Sequence, residues 1–153
     1  MGKTKILLVE DDPAINKLVT DYMTSRGFEV TSFLDAPEAL DHVQMRGLPH
    51  IALIDLQLPS MHGFELSNRL KSMADVPIIF VTAYNDTETV VQGLKKYAED
   101  FIVKPFELRE LEARTQVVLA RMPSLDYASE PIIRIDDGLN IDFAHNRIVV
   151  NGK

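Results

Sequence analysis

The chain contains no cysteine, no tryptophan and no apolar run long enough to cross a membrane. Without cysteine it can form neither a disulfide nor a thiolate metal site. A membrane-spanning helix needs roughly 18 or more consecutive apolar residues, and the runs here are far shorter. The first residues, Met1 to Lys5, lead directly into an apolar segment and lack the pattern of a signal peptide. We therefore expect a cytoplasmic protein that does not contact a membrane.

Basic residues are also scarce. The 16 lysines and arginines stand against 23 aspartates and glutamates, which gives a net charge of −7. This charge argues against a chain that wraps nucleic acid. A glycine-rich phosphate loop is missing as well, so a nucleotide is not the obvious ligand. The 153 residues are 46% apolar and 25% charged, which is typical of one globular domain plus a short remainder.

The most informative stretch is residues 51–59, which read IALIDLQLP. Its first four residues are apolar without alternation, as in a strand of a parallel sheet that helices cover on both faces. The run ends at Asp55, and ligands of open α/β sheets bind outside the carboxyl ends of the strands. A helix cap is the alternative role for Asp55, but the next four residues do not start a helix. Asp55 therefore marks a candidate site.

The whole chain alternates between strand and helix patterns. Strands are predicted at residues 5–9, 28–33, 51–54, 77–81 and 100–103, and helices at 13–26, 36–46, 61–73, about 85–96 and 108–122. The first helix should turn five apolar residues inward: Ile15, Leu18, Val19, Tyr22 and Met23. The alternation predicts an α/β protein with a five-stranded parallel sheet, helices on both faces and the flavodoxin-like strand order 2-1-3-4-5. Short β segments from residue 132 onward predict antiparallel β structure at the C-terminus.

Polar residues follow four of the predicted strands. Glu10 and Asp11 follow the first strand, Asp55 follows the third, and Thr82 and Lys104 follow the fourth and fifth. Parallel strands bring these ends to one edge of the sheet, where crowded carboxylates require a proton or a cation. Oxygen ligands without histidine or cysteine suit Mg²⁺ or Mn²⁺. Each residue could instead be an ordinary solvated or backbone-bonded group. Their joint spacing favours a site.

Carboxylates, a divalent cation, a lysine and a hydroxyl form a site suited to phosphoryl transfer. In that reaction a protein mainly positions groups and neutralises charge on the phosphoryl oxygens. A carboxylate can itself be the nucleophile and carry the phosphoryl group. Asp55 is the best candidate because it stands alone at its strand end.

The segments VEDDP, IDLQLPSMHG, VTA and VKPF, in this order and spacing, resemble the receiver domain of two-component response regulators. The resemblance covers about residues 3–121. It implies that Asp55 is the phosphoacceptor and takes its phosphoryl group from a histidine kinase. It also implies a Mg²⁺ (or Mn²⁺) site at Asp11, Asp55 and the backbone carbonyl of Gln57, with Glu10 acting through water.

The same resemblance implies roles for the other strand ends. Lys104 would bond the phosphoryl oxygens, and a cis peptide bond would precede Pro105. Thr82 and Phe101 would be the switch residues that respond to phosphorylation. Such a protein is not an enzyme acting on external substrates, since it catalyses only its own phosphorylation and dephosphorylation.

The C-terminal part of the sequence indicates which kind of response regulator this chain resembles. Residues 122–131 have the composition of a linker. Residues 132–153 resemble the opening β-sheet of the winged-helix effector domain in OmpR/PhoB-type transcription regulators. The DNA-recognition helix of such a domain is absent from the sequence, so we expect a truncated regulator that reaches DNA only through the missing part.

Three charged residues point to a dimer. Asp100, Glu110 and Arg114 match positions through which such receivers dimerise, by way of the fourth helix, the fifth strand and the last helix. Glu110 and Arg114 lie four residues apart on one helix face, so a local ion pair is the alternative. Val90 and Tyr97 depart from the family pattern in and after the fourth helix, which bears on the dimer mode.

Two other functions compete with a transcriptional switch. One is a stand-alone receiver that acts by binding proteins, with the β tail as a docking strand. The other is a Mg²⁺-dependent phosphohydrolase with an aspartyl nucleophile. Those enzymes generally need a second carboxylate two residues after the nucleophile, and Gln57 occupies that position.

Overall fold

The computed structural model describes residues 2–83 and 98–122, and the backbone of residues 133–134, 139–142 and 147–150. The predicted helix at 85–96, with Val90, and the position of Tyr97 lie outside the described residues. So does most of the predicted linker.

The N-terminal part is a five-stranded parallel sheet in the order β2-β1-β3-β4-β5, as predicted. Its elements are β1 (Lys5–Val9), α1 (Pro13–Ser25), β2 (Glu29–Phe33), α2 (Ala36–Arg46), β3 (Ile51–Ile54), α3 (Gly63–Met73), β4 (Ile78–Thr82), β5 (Asp100–Val103) and α4 (Leu108–Arg121). The α/β class, the parallel pairing and the strand order are confirmed.

The sheet is buried on both faces because its central strands carry runs of consecutive apolar residues. Leu7 and Val9 of β1 pack into one core with α2 and α3. Ile6 and Leu8 pack into a second core with α1 and α4. All four residues of β3 are buried. Continuous apolar runs therefore predicted these strands correctly, since both faces need an apolar side chain.

Helix α1 shows where the periodicity was wrong. Asp12 caps the helix, because Asp12 Oδ1 accepts hydrogen bonds from Ala14 N (2.9 Å) and Ile15 N (3.3 Å). Leu18, however, is 58% exposed. The buried residues of the helix are Asn16, Val19 and Met23. The polar Asn16 therefore faces the core, whereas the apolar Leu18, which was predicted to do so, faces solvent.

Several element boundaries differ from the predictions by one or two residues, and two of them lie near the predicted site. Helix α3 begins at Gly63 rather than Met61, because His62 Nδ1 accepts a hydrogen bond from Phe64 N (3.1 Å) and caps the helix there. Strand β4 extends through Thr82, since Thr82 is still in parallel register with Val103. Thr82 is thus the last residue of its strand.

Helices α1 and α4 are tied together at the surface. Glu112 of α4 accepts hydrogen bonds from the Tyr22 hydroxyl (2.7 Å) and from Arg26 Nε (2.9 Å). These two bonds hold the pKa of the Glu112 carboxyl below its ordinary value, and the bond from Arg26 has the larger effect. The contact joins the start and the end of the receiver-like part of the chain.

The C-terminal β structure is antiparallel, as predicted. Strands β6 (Ile133–Arg134), β7 (Leu139–Asp142) and β8 (Arg147–Val150) form a three-stranded sheet in that order. Among the described residues, no helix is long and apolar enough to span a membrane.

Candidate functional site

The structure brings the carboxylates that follow β1 and β3 together. The two strands are neighbours, and Asp55 N donates a hydrogen bond to Val9 O (3.0 Å). Glu10, Asp11 and Asp55 each offer a carboxylate oxygen, and these oxygens lie within 4.8 Å of one another. Glu10 and Asp55 are buried, at 2% and 5% exposed, whereas Asp11 is exposed. The predicted acidic edge is therefore present.

Lys104 reaches the same place from β5. Its Nζ lies 2.6 Å from Glu10 Oε1 and 3.0 Å from Asp55 Oδ2. The backbone is held there by a hydrogen bond from Lys104 N to Thr82 O (2.8 Å), and the Lys104–Pro105 peptide bond is cis. The lysine thus bridges the two buried carboxylates.

The electrostatics of the cluster are unbalanced. Burial raises the pKa of Glu10 to about 7, despite the hydrogen bonds from Lys104 and from Asp12 N that lower it. Burial lowers the pKa of Lys104, but its bonds to Glu10 and Asp55 outweigh burial and raise that pKa above the ordinary value. One ammonium faces two buried carboxylates and the exposed Asp11, so the site favours an additional positive charge.

The donor set fits a hard divalent cation. All three carboxylates supply oxygen, and the backbone of Gln57 is next to them, because Gln57 N donates to Asp55 Oδ1 (3.0 Å). Mg²⁺ binds through one or two carboxylates and keeps several waters. The exposure of Asp11 leaves an open side for such waters.

Gly63 closes the loop that carries Gln57. Gly63 N donates to Leu56 O (2.7 Å), and Gln57 pairs with His62 in an isolated antiparallel bridge. A Cβ at position 63 would lie 2.8 Å from Leu56 Cα and against the backbone oxygen of Asp55. Only glycine leaves room there. Sequence reasoning did not single out this residue, although it is the last letter of the segment IDLQLPSMHG.

The two predicted switch residues are buried. Thr82 is 0% exposed at the end of β4, and Phe101 is 8% exposed in β5. The centroids of the Phe101 and Phe80 rings lie 5.3 Å apart, and those of Phe80 and Phe64 of α3 lie 5.1 Å apart. A row of aromatic rings therefore connects β5 to the helix that follows the Asp55 loop.

A family model described as "Response regulator receiver domain" matches residues 6–116. The chain belongs to this family.

Relatives and solved structures agree with this assignment. The chain is 35% identical over 152 residues to the response regulator ArlR of Staphylococcus aureus, covering 97% of this chain and 65% of that protein. It is 33% identical over 156 residues to the probable transcriptional regulator ycf27 of Cyanophora paradoxa, covering 100% of this chain and 65% of that protein. The chain therefore spans 65% of the length of each of these curated relatives.

The fold also matches a solved receiver. The crystal structure of a CheY-like response regulator receiver domain protein from Methanospirillum hungatei is 30% identical, with a TM-score of 0.73. The match covers 78% of this chain and 95% of the other. The flavodoxin-like arrangement of the receiver is thereby confirmed.

Asn16 is a supporting residue of the receiver that sequence reasoning missed. It is 8% exposed, and its Nδ2 donates to the backbone oxygens of Glu10 (3.1 Å) and Phe33 (3.0 Å). It therefore fixes the backbone at the point where β1 enters the acidic edge. Its place on the inward stripe of α1 was the only available signal.

The charged residues expected on a dimer face are paired within the receiver. Arg114 Nη1 donates to Asp100 Oδ2 (3.0 Å) and Oδ1 (3.2 Å), and Arg114 Nε donates to Glu110 Oε2 (3.2 Å). The local pair considered as an alternative is therefore present. A dimer contact through these residues stays a prediction.

Proposed function

We propose that this receiver accepts a phosphoryl group on Asp55 from a histidine kinase and thereby switches the output of a transcription regulator. The observation that carries the proposal is the position of Lys104, whose Nζ joins Glu10 Oε1 and Asp55 Oδ2 in a buried acidic cluster. A lysine at this place is within hydrogen-bonding distance of Asp55 and can donate to the oxygens of a phosphoryl group on it. The receiver family to which the chain belongs supports the proposal.

The transfer is a displacement at phosphorus. An Asp55 carboxylate oxygen attacks the phosphorus of a phosphohistidine and forms a P–O bond, while the P–N bond breaks. The bonding pair goes to the imidazole nitrogen, which takes up a proton, and an aspartyl phosphate remains on the receiver. Lys104 and Thr82 stabilise the charge on the phosphoryl oxygens.

A divalent cation, Mg²⁺ or Mn²⁺, would be held by Asp11, Asp55 and the backbone carbonyl of Gln57, with Glu10 acting through water. It supplies positive charge that neutralises the phosphoryl oxygens. The carboxylate oxygens within 4.8 Å of one another support this assignment. Buried carboxylates of like charge need such a partner in addition to Lys104.

Turnover of external substrates is not proposed. A phosphohydrolase with an aspartyl nucleophile would need an acid–base carboxylate two residues later, and Gln57 has none to offer. The chain therefore acts as a phosphoacceptor that catalyses only its own phosphorylation and dephosphorylation.

The output follows from the charge that phosphorylation adds. A phosphoryl group brings about −1.5 to −2 charge and three acceptor oxygens. Groups that contact those oxygens in one state only can shift the conformation, and Thr82 and Phe101 are the proposed switch residues. Phosphorylation then favours a dimer through the predicted fourth helix, β5 and α4. In that dimer Asp100, Glu110 and Arg114 form ion pairs with a second copy of the chain in place of the ion pairs they form with one another.

The domain organisation completes the proposal. Residues 3–121 form the receiver, 122–131 a linker, and 132–153 the first β-sheet of a winged-helix effector domain that would bind DNA. The antiparallel pairing of β6, β7 and β8 supports the last assignment, as do the longer relatives, one of which is named a probable transcriptional regulator.

The test is intact mass after incubation with acetyl phosphate and Mg²⁺. We expect one added phosphoryl group on the parent, and none on Asp55→Asn or in the presence of EDTA. No adduct on the parent, together with no binding of beryllofluoride, would refute the phosphoacceptor role. Light scattering of the phosphorylated chain tests the predicted dimer. The prediction is wrong if the phosphorylated chain stays monomeric at high concentration.

A further inference from the structure

The loop between β3 and α3 is held at its tip by a carboxylate from another loop. Asp35 lies between β2 and α2, and its Oδ1 accepts a hydrogen bond from Ser60 N (3.1 Å). The Ser60 hydroxyl donates a second bond to Asp35 Oδ2. Both oxygens of one carboxylate therefore bind a single residue that is 25 positions away in sequence. We call this pair the Asp35–Ser60 latch.

A helix cap alone does not explain the latch. Asp35 Oδ1 also accepts a hydrogen bond from Ala36 N (2.8 Å) at the start of α2, so the residue does cap that helix. A cap needs only one oxygen, and serine, threonine or asparagine would serve as well. The two bonds to Ser60 are additional, and they attach the β3–α3 loop to the loop between β2 and α2.

The fixed loop is the one that carries Gln57. Its base is closed by the bond from Gly63 N to Leu56 O (2.7 Å) and by the pairing of Gln57 with His62. Gln57 N is anchored on Asp55 Oδ1 (3.0 Å). The latch adds a third fixed point at Ser60, three residues further on. The peptide group of Gln57 is thereby held between the nucleophile and the latch.

We propose that Asp35 and Ser60 are positioning residues for the divalent cation, because they hold the Gln57 carbonyl in place without contacting the metal themselves. This inference rests on the proposed function, which assigns that carbonyl to the metal. Residues that orient metal ligands from outside the coordination sphere typically change metal affinity by about 10- to 100-fold when removed. The latch is exposed at Ser60, so we expect the low end of that range.

Three variants of the full 153-residue chain separate the latch from the cap. Ser60→Ala removes the hydroxyl bond and leaves the α2 cap intact. Asp35→Ser keeps a capping oxygen on a side chain one bond shorter, which no longer spans to Ser60. Asp35→Asn is the conservative variant, since it retains an acceptor for Ser60 N and a group that can pair with the hydroxyl. Ser25→Ala is the matched control, because Ser25 Oγ donates to Tyr22 O at the end of α1 and, within the described part of the chain, has no bond to the β3–α3 loop.

The primary measurement is the dissociation constant for Mn²⁺, read by electron paramagnetic resonance. Weakening of about tenfold is expected for Ser60→Ala and Asp35→Ser, near-parental binding for Asp35→Asn, and no change for Ser25→Ala. The double variant Asp35→Ser/Ser60→Ala should be no weaker than Asp35→Ser alone, since Asp35→Ser already removes both bonds of the latch, including the one that Ser60→Ala removes. Binding within twofold of the parent in both single variants would overturn the proposal, as would fully additive losses.

A second measurement distinguishes positioning from general damage. In phosphorylation by acetyl phosphate, the latch variants should need about tenfold more Mg²⁺ for half-maximal rate, while the rate at saturating Mg²⁺ stays near the parental one. An unchanged Mg²⁺ requirement with a lower maximal rate would refute the positioning role. Failure of the proposed function would give a different result. The parent would then bind no Mn²⁺, or would bind it no more tightly than Asp11→Asn does.

Discussion

Glu10 should make the receiver less stable as the pH rises, and Glu10→Gln should remove that effect. The side chain is 2% exposed, and its pKa is raised from the ordinary 4.5 to about 7 by burial. A raised pKa means that the folded state holds the proton more tightly than the unfolded state. The stabilising effect of the proton is therefore present below about pH 4.5 and is lost as the pH rises through about 7.

The magnitude follows from that difference. At about 1.4 kcal/mol per pH unit, a rise from 4.5 to about 7 corresponds to roughly 3 kcal/mol of unfolding free energy as an upper bound. Glu10 accepts from Asp12 N on Oε2 (3.0 Å) and from Lys104 on Oε1, so the single oxygen of glutamine keeps only one of these bonds. The lost bond lowers the stability of the variant by an amount that does not depend on the protonation of residue 10. Glutamine carries no charge, so the variant does not gain a proton in this range.

The assay is urea unfolding of the parent and Glu10→Gln in EDTA at pH 5 and pH 8. Glu10→Gln should gain about 2 to 3 kcal/mol relative to the parent between the two pH values. Glu65→Gln, on the exposed surface of α3, is the matched control and should show no comparable trend, because exposed ion pairs contribute little. A relative stability of Glu10→Gln that stays constant from pH 5 to pH 8 would refute the reasoning.

Three further predictions concern supporting residues. Gly63→Ala should lower the unfolding free energy by about 2 kcal/mol or more, measured in urea, because its Cβ would lie 2.8 Å from Leu56 Cα. Asn16→Ala should cost about 1 to 3 kcal/mol in the same assay, since the backbone oxygens of Glu10 and Phe33 each lose the bond from Asn16, although Phe33 O keeps its bond from Glu10 N. Glu112→Gln should be less stable than the parent near neutral pH, and the difference should vanish as the pH falls through the lowered pKa of Glu112, because the protonated carboxyl no longer attracts Arg26.

Each of these has a contradicting result. Parental stability of Gly63→Ala would mean that the loop relaxes away from position 63. An Asn16 variant within about 0.5 kcal/mol of the parent would mean that water replaces the lost donor. A Glu112→Gln difference that grows toward acid pH would contradict the sign worked out above.

The fold and the acidic edge could be predicted from the sequence for a local reason. A strand that is buried on both faces is apolar on both, so β3 and the inner parts of β1 and β4 appear as uninterrupted apolar runs. Their parallel pairing then brings the residues after each run to one edge. Glu10, Asp55 and Lys104 could be placed together on that basis, and the structure joins them within 3.0 Å.

The predicted helix boundaries show where a capping residue guided the prediction and where it did not. Helix α2 begins with Asp35 and Ala36 and ends before Gly47, and its predicted range is the observed one. Helix α3 is capped by His62, a residue without a strong capping preference, and so its start was placed two residues too early.

Only the tertiary structure decided how the edge is supported and charged. Asn16 contacts Phe33, 17 residues away, and Asp35 contacts Ser60 across two loops. The local sequence does not identify the partner in either contact, because hydrogen bonds between distant residues depend on where the sheet places each of them. The raised pKa of Glu10 has the same origin, since burial is a property of the packed molecule. The sequence by itself therefore determined which chemical groups meet at the sheet edge, and the packing of loops and helices around that edge decided how rigidly they are held and how strongly they hold their protons.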